Sequence, residues 1–162
     1  MAINERVLRL IETSGAKFQV LPHAEAFTAQ EVAQSVHVTG RVMAKVVVVR
    51  DEGGAYAMLV VPASCHLDLA AFARQAGLRG ATLATETELQ RLFPDCELGA
   101  MPPLGRLYDL PTYVDRAFGS ASSVYFQAGN HHEVVRMDTA DFLRLAQGRT
   151  GDFCAAAPAG DV

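Results

Sequence analysis

The chain has 162 residues, half of them hydrophobic and a fifth charged, with a net charge of −4. This is enough for one domain with a full core and no need of metal or disulfide staples. The acidic balance argues against wrapping long nucleic acid but leaves room for a local cationic pocket that meets a few phosphates. No apolar run approaches the ~20 residues of a membrane span, and the charged start MAINERVLRLIETSG does not read as a secretory signal. Cys65, Cys96 and Cys154 are odd in number and widely spaced. They fit a reducing cytoplasm better than a disulfide framework.

In chain order, residues 4–14 read as an amphipathic helix ending near Gly15. KFQVLP reads as a short strand stopped by Pro22, and Thr28 as the cap of a helix through 36 with Glu31 in the capping-box position. The stretch VMAKVVVVR, residues 42–50, predicts a strand apolar on both faces. DEGG then turns it into a hairpin with AYAMLVVP. A helix over 68–76, a short strand at ATLA and a second capping box, Thr85 with Glu88, follow. Residues 99–111 carry two glycines and three prolines and are expected to be irregular. TYV, SSVYFQAG and EVVRM read as strands, the last two joined by a turn near Asn130. Asp138 or Thr139 caps a last helix to about Gln147. The order predicts an α+β fold with a mixed, largely antiparallel sheet. Residues 1–150 form the single expected domain and 151–162, ending in AAAPAGDV, a flexible tail.

Lys45 is the outlier in its apolar strand. It either snorkels to water from an edge or stands as a cation in a cleft, where it could hold a phosphate. The loop GAMPPLG could offer backbone N–H groups to an oxygen, or serve only as a rigid turn. His23, His131 and His132 are surface or hydrogen-bonded histidines unless a pocket claims them, and adjacent histidines in an extended chain point to opposite sides. No CxxC, HxxxH or carboxylate–histidine cluster suggests a metal, and no GxSxG, phosphate-binding loop or dinucleotide fingerprint suggests a cofactor. Cys65 next to His66 does not by adjacency make a nucleophile and its base.

Taken together, HAEAFTAQEVA (23–33), MAKVVVV, LFPDCELGAMPPLG (92–105), YVD (113–115) and FQAGNHHEVVRMDTADFLRL (126–145) resemble the YbaK/prolyl-tRNA synthetase-associated domain family. These are free-standing aminoacyl-tRNA deacylases, and the resemblance runs from about residue 4 to 147. It implies a barrel-like sheet flanked by helices and hydrolysis of the ester of a mischarged aminoacyl-tRNA. The substrate's own ribose hydroxyl would help to activate water. It implies catalytic roles for Lys45, Gly99 in the GxxxP loop, and His131, with His23, Thr28, Met101, Pro102, Pro103 and Gly129 binding substrate. The family often has a polar residue after the lysine, where this chain has Val46. The resemblance implies no cofactor or metal, the tRNA acceptor end as partner with an aminoacyl-tRNA synthetase as a candidate second partner, and a cytoplasmic setting. It points to a small amino acid on tRNA for proline. The competing expectations are a non-catalytic module of the same fold that binds tRNA ends or a nucleotide, and an unrelated small-ester hydrolase.

Overall fold

The structure, a computed structural model, describes residues 3–24, 26 and 28–155. Positions 25 and 27 of HAEAFTAQEVA and residues 156–162 of the expected tail lie outside the described residues. The elements in order are α1 (Glu5–Ser14), β1 (Phe18–Pro22), α2 (Ala29–Ser35), β2 (Ala44–Arg50), β3 (Tyr56–Pro62), α3 (Leu69–Ala76) and β4 (Thr82–Leu83). They continue with α4 (Glu86–Leu92), β5 (Thr112–Asp115), β6 (Ser123–Gln127), β7 (Glu133–Asp138), α5 (Thr139–Ala146) and β8 (Arg149–Gly151). Short 3-10 turns at Gly105–Tyr108 and Arg116–Ser120 punctuate the middle.

The local signals act as the residue chemistry requires. The Asn4 side chain accepts from Arg6 and Val7 N–H and starts α1. Thr85 and Glu88 close a complete capping box on α4. Thr28 accepts from Glu31 N–H at 3.1 Å. Asp51 makes the hairpin turn, accepting from Gly54 N–H at 3.1 Å and, through its carboxylate, from Ala55 N–H at 3.0 Å.

Two sheets result, in the strand orders β1-β7-β6 and β4-β2-β3-β5-β8. Pairings are antiparallel except β3–β5 and β5–β8. Among the described residues the two sheets form no closed barrel. They meet through a parallel bridge between Met43 and Tyr125, with Tyr125 N–H donating to Val42 carbonyl at 2.9 Å.

β2 packs both faces, as its apolar alternation predicts. Ala44 and Val48 join the main core with Val7 and Ile11 of α1, Val60, Phe126 and Phe142. On the other face Val49 joins Leu59, Val61, Phe72 and Phe153, whereas Met43 joins a separate cluster with Val32 and Val134. Lys45 falls between those two clusters and is exposed. β4 pairs with β2 only at Val49 and Arg50, so it leaves the Lys45 end of that edge open.

The C-terminal expectation needs correction over residues 151–155. β8 pairs in parallel with β5, and the chain then crosses back as a strap. Phe153 is 1% exposed and packs edge-on to Phe72 at 5.4 Å between ring centroids. Its N–H donates to the buried Asp115 carboxylate at 2.9 Å. Cys154 is bonded to Cys65 across 89 residues of sequence, contrary to the expectation of unpaired thiols. Odd number and wide spacing were the reasons for that expectation, but pairing depends on where the fold brings the chain, which spacing does not encode. The strap is also held by Asp68 N–H to Phe153 carbonyl (2.8 Å) and by Ala155 N–H to His66 carbonyl (2.6 Å).

Phe153→Ala is therefore expected to cost about 3–5 kcal/mol, the usual loss for emptying a buried aromatic site. Urea unfolding measures it; a change below about 0.5 kcal/mol would mean that the strap is loose after all.

Candidate active site

Below the exposed end of β2 lies a cavity of about 330 Å³, a size usual for small-molecule sites. Its walls come from the start of α2, from β2, from Ala63 just after β3, from Leu89 of α4, from Gly99 and Met101 of the connecting loop, and from Gln127 at the end of β6. Most of these side chains are small or apolar. The charged one among them is Lys45. No hydrogen bond or ion pair to its ammonium is found among the described residues. Lys45 reaches water at an open edge and also lines the cavity. It is not a desolvated cation in this state.

The loop is positioned by the backbone of the other sheet. Glu97 N–H donates to Gly129 carbonyl and Gly129 N–H to Ala100 carbonyl, each at 2.8 Å. Gly99 lies between these anchors with φ of +88°, in the left-handed region where a Cβ is strained. Its own N–H meets no acceptor among the described residues. A loop amide left open beside a cation is suited to an oxyanion or phosphate oxygen. Met101, 6% exposed, forms wall, and Thr28 lines the rim with its hydroxyl engaged in capping α2.

The remaining expected residues lie off the cavity. Pro102 and Pro103 are buried behind Met101. Gly129, with φ of +108°, is a rung of the loop's backbone ladder. The His23 N–H donates to His132 carbonyl at 2.8 Å, and its Nδ1 lies 2.6 Å from Ala24 carbonyl. His131 is 5% exposed and does not line the cavity. Its Nε2 meets Leu98 carbonyl at 2.7 Å, its backbone N–H meets Glu97 Oε2 at 3.1 Å, and its Nδ1 lies 3.4 Å from Gln127 Nε2. These contacts tie the ring to the loop at Leu98 and to Gln127.

Sequence reasoning missed Gln30, Leu89, Ala63 and Gln127. For Gln127 a signal existed: an amide at the end of the otherwise largely apolar strand SVYFQ, 6% exposed in the fold. Leu89 belongs to α4, a helix with no buried residue. α4 rests on the half-buried Leu89 and Leu92, packed against the main core, and on polar contacts from Tyr56 hydroxyl and Arg50 to Glu88 and from Arg91 to Tyr56 at 2.9 Å. The Tyr56 hydrogen bond, then the Thr85 backbone N–H, lower the Glu88 carboxyl to about 2.

Cys96 stands close to the loop, yet burial pushes its thiol up to about 12, beyond use as a thiolate nucleophile near neutrality. Burial alone would raise Asp95 as well, but hydrogen bonds from Asn4 and Tyr108 outweigh it and hold that carboxyl below its usual value. Among the described residues no group of three or more histidine, cysteine, aspartate or glutamate side chains could hold a metal. Nor is any helix there long and apolar enough to cross a membrane.

Residues 23–145 match the family model described as aminoacyl-tRNA editing domain. The chain is 27% identical over 154 residues to the multifunctional Ser/Thr-tRNA deacylase ProXp-y of Escherichia coli (strain K12), covering 93% of this chain and 92% of that protein. Among solved structures, a candidate trans-editing enzyme for prolyl tRNA synthetase superposes with a TM-score of 0.81 at 25% identity, covering 96% of this chain and all (100%) of that one. The hypothetical protein APE2540 superposes with a TM-score of 0.83 at 22% identity over 93% of this chain and 100% of its own, a likeness of fold.

The Glu88 contacts carry a pH signature. A carboxyl lowered on folding stabilises the protein above its unfolded range and loses that contribution as pH falls toward its folded value. Glu88→Gln should therefore be less stable than the parent near pH 7, with the gap closing as the pH drops from the ordinary glutamate range toward about 2. Urea midpoints across that window read it, and a gap independent of pH would exclude the role.

Proposed function

We propose a substrate and a mechanism on one premise: the chain belongs to the aminoacyl-tRNA editing domain family. Its reaction is hydrolysis of the ester that joins a wrong amino acid to tRNA. The observation that carries the mechanism is the pairing of Lys45 with the open amide of Gly99 on one cavity. An aminoacyl ester is already activated, so the protein needs to hold it and to stabilise charge rather than supply a nucleophile. Water adds to the ester carbonyl and the carbonyl oxygen becomes an oxyanion. The tetrahedral adduct then collapses, the ribose oxygen leaves with a proton, and free amino acid and tRNA are the products. Loop N–H groups near Gly99 receive the oxyanion. Lys45, a compact charge on a flexible stem, reaches from the open edge to a phosphate of the terminal nucleotide.

The cavity argues for a small side chain. Ala44 and Ala63 leave space, while Met101 and Leu89 bound it, and such a pocket rejects larger amino acids better than smaller ones. The E. coli relative acts on seryl- and threonyl-tRNA by its name, and the solved neighbour is a candidate editor for prolyl tRNA synthetase. By those likenesses we assign this chain small amino acids misattached to tRNA for proline, working in trans and alongside the synthetase. Residues 1–150 together with the strap make one editing unit, and its place is the cytoplasm, where charged tRNA is used. In that reducing compartment Cys65 and Cys154 would be thiols, still held together by the strap's backbone hydrogen bonds.

The test is a panel of tRNAs, each charged with a different amino acid, assayed with the parent protein and Lys45→Ala. The parent should release small amino acids from tRNA for proline. The variant should fall by about 100-fold or more, as for loss of a charge acting on a bound anion. Because Lys45 is exposed and pairs with no group among the described residues, melting should shift by less than about 1 kcal/mol in stability. Binding of charged tRNA without release of amino acid would instead identify a non-catalytic module.

A further inference from the structure

We propose that Gln127 reads the substrate's side chain by accepting a hydrogen bond from its hydroxyl, which makes the cavity selective for threonine and serine over their non-hydroxylated counterparts. The inference rests on the deacylase reading above and adds the residue that sets its specificity.

The argument follows hydrogen-bond polarity through three groups. Leu98 carbonyl can only accept, so His131 Nε2, 2.7 Å away, carries the proton. With Nε2 as the ring's donor, Nδ1 is the acceptor for the amide N–H that faces it. Gln127 Nε2, 3.4 Å from Nδ1, is the donor that meets it. This fixes the amide: its NH2 side turns to His131 and its carbonyl is left over. That carbonyl has no hydrogen-bond partner among the described residues, although Gln127 is 6% exposed and lines the cavity. An amide oxygen without a partner, on a residue that lines a ligand cavity, is suited to a donor brought by the ligand.

The substrate offers two kinds of donor near its reacting carbon, the α-ammonium and a side-chain hydroxyl. Among the described residues no carboxylate lines this cavity, and Lys45 already places a positive charge on it. A second cation on this cavity would meet the repulsion of Lys45, against which the neutral amide offers a hydrogen bond but no opposite charge. A hydroxyl is neutral and meets none. Ala44 and Ala63 on the same cavity leave room for the extra methyl of threonine. Without the amide, the apolar walls would separate threonine from its isostere valine only weakly, because shape alone cannot tell them apart.

The experiment uses tRNA for proline charged separately with threonine, valine, serine or alanine, assayed at about pH 8, above the usual imidazole range. With the parent protein, kcat/KM for threonine should exceed that for valine on the order of tenfold or more. In Gln127→Met the ratio should fall to about one. Ratios within one preparation do not depend on how much of it is folded. Gln127→Glu, which retains an acceptor oxygen, should keep a preference for threonine. A parent ratio near one overturns the proposal without any variant. Equal losses for all four esters in Gln127→Met also overturn it, since they would mark a general positioning role. If the parent hydrolyses none of the four, the deacylase reading falls and this inference with it; hydrolysis without discrimination removes this inference alone.

Discussion

Tyr125 N–H reaches Val42 carbonyl at 2.9 Å, and that seam joins the sheet carrying Lys45 to the sheet carrying Gln127. Met43, fully buried beside it, pins the start of β2 against Val134 and α2. Two residues further on, the strand is anchored but its outer edge is open, because β4 pairs only with its far end. A cation can stand there at little desolvation cost, since water still reaches it. The free protein thus carries that charge without holding it buried.

The opposite wall obeys a different constraint. A loop carrying a left-handed glycine needs fixed ends if its amide is to point anywhere in particular. Here the ends are tied by backbone rungs to Gly129 and by the His131 ring to Leu98 carbonyl. The histidine acts one layer back, and its second nitrogen fixes the orientation of Gln127. One ring thereby contacts both the loop and the amide.

The hairpin, the helix caps and the α+β class were legible because each is written in residues close together in sequence. Thr85 and Glu88 are three positions apart, and the Asp51 turn spans five residues. The MAKVVVV lysine and the GAMPPLG loop stood out as exceptions to local pattern, and both reached the cavity. His131 stood out as well, but a residue type cannot say whether its ring faces the ligand or the loop behind it. Leu89 and Ala63 were invisible because nothing local distinguishes a leucine or alanine that faces a cavity from one that faces a core. β8 and the Cys65–Cys154 pairing depend on the chain returning beside β5 after passing through α5, a long-range contact with no local signature.

The Cys65–Cys154 bond has a topological consequence. When oxidised, it closes residues 65–154 into a covalent ring. Gly99, Met101 and Gln127 lie within the ring, whereas Lys45 lies on the open arm that precedes it. A single backbone cut at the exposed tip around Leu98 and Gly99 would sever the cavity's loop, yet leave both fragments joined through sulfur. The nicked chain would run as one intact molecule on a gel until a reductant separated the pieces.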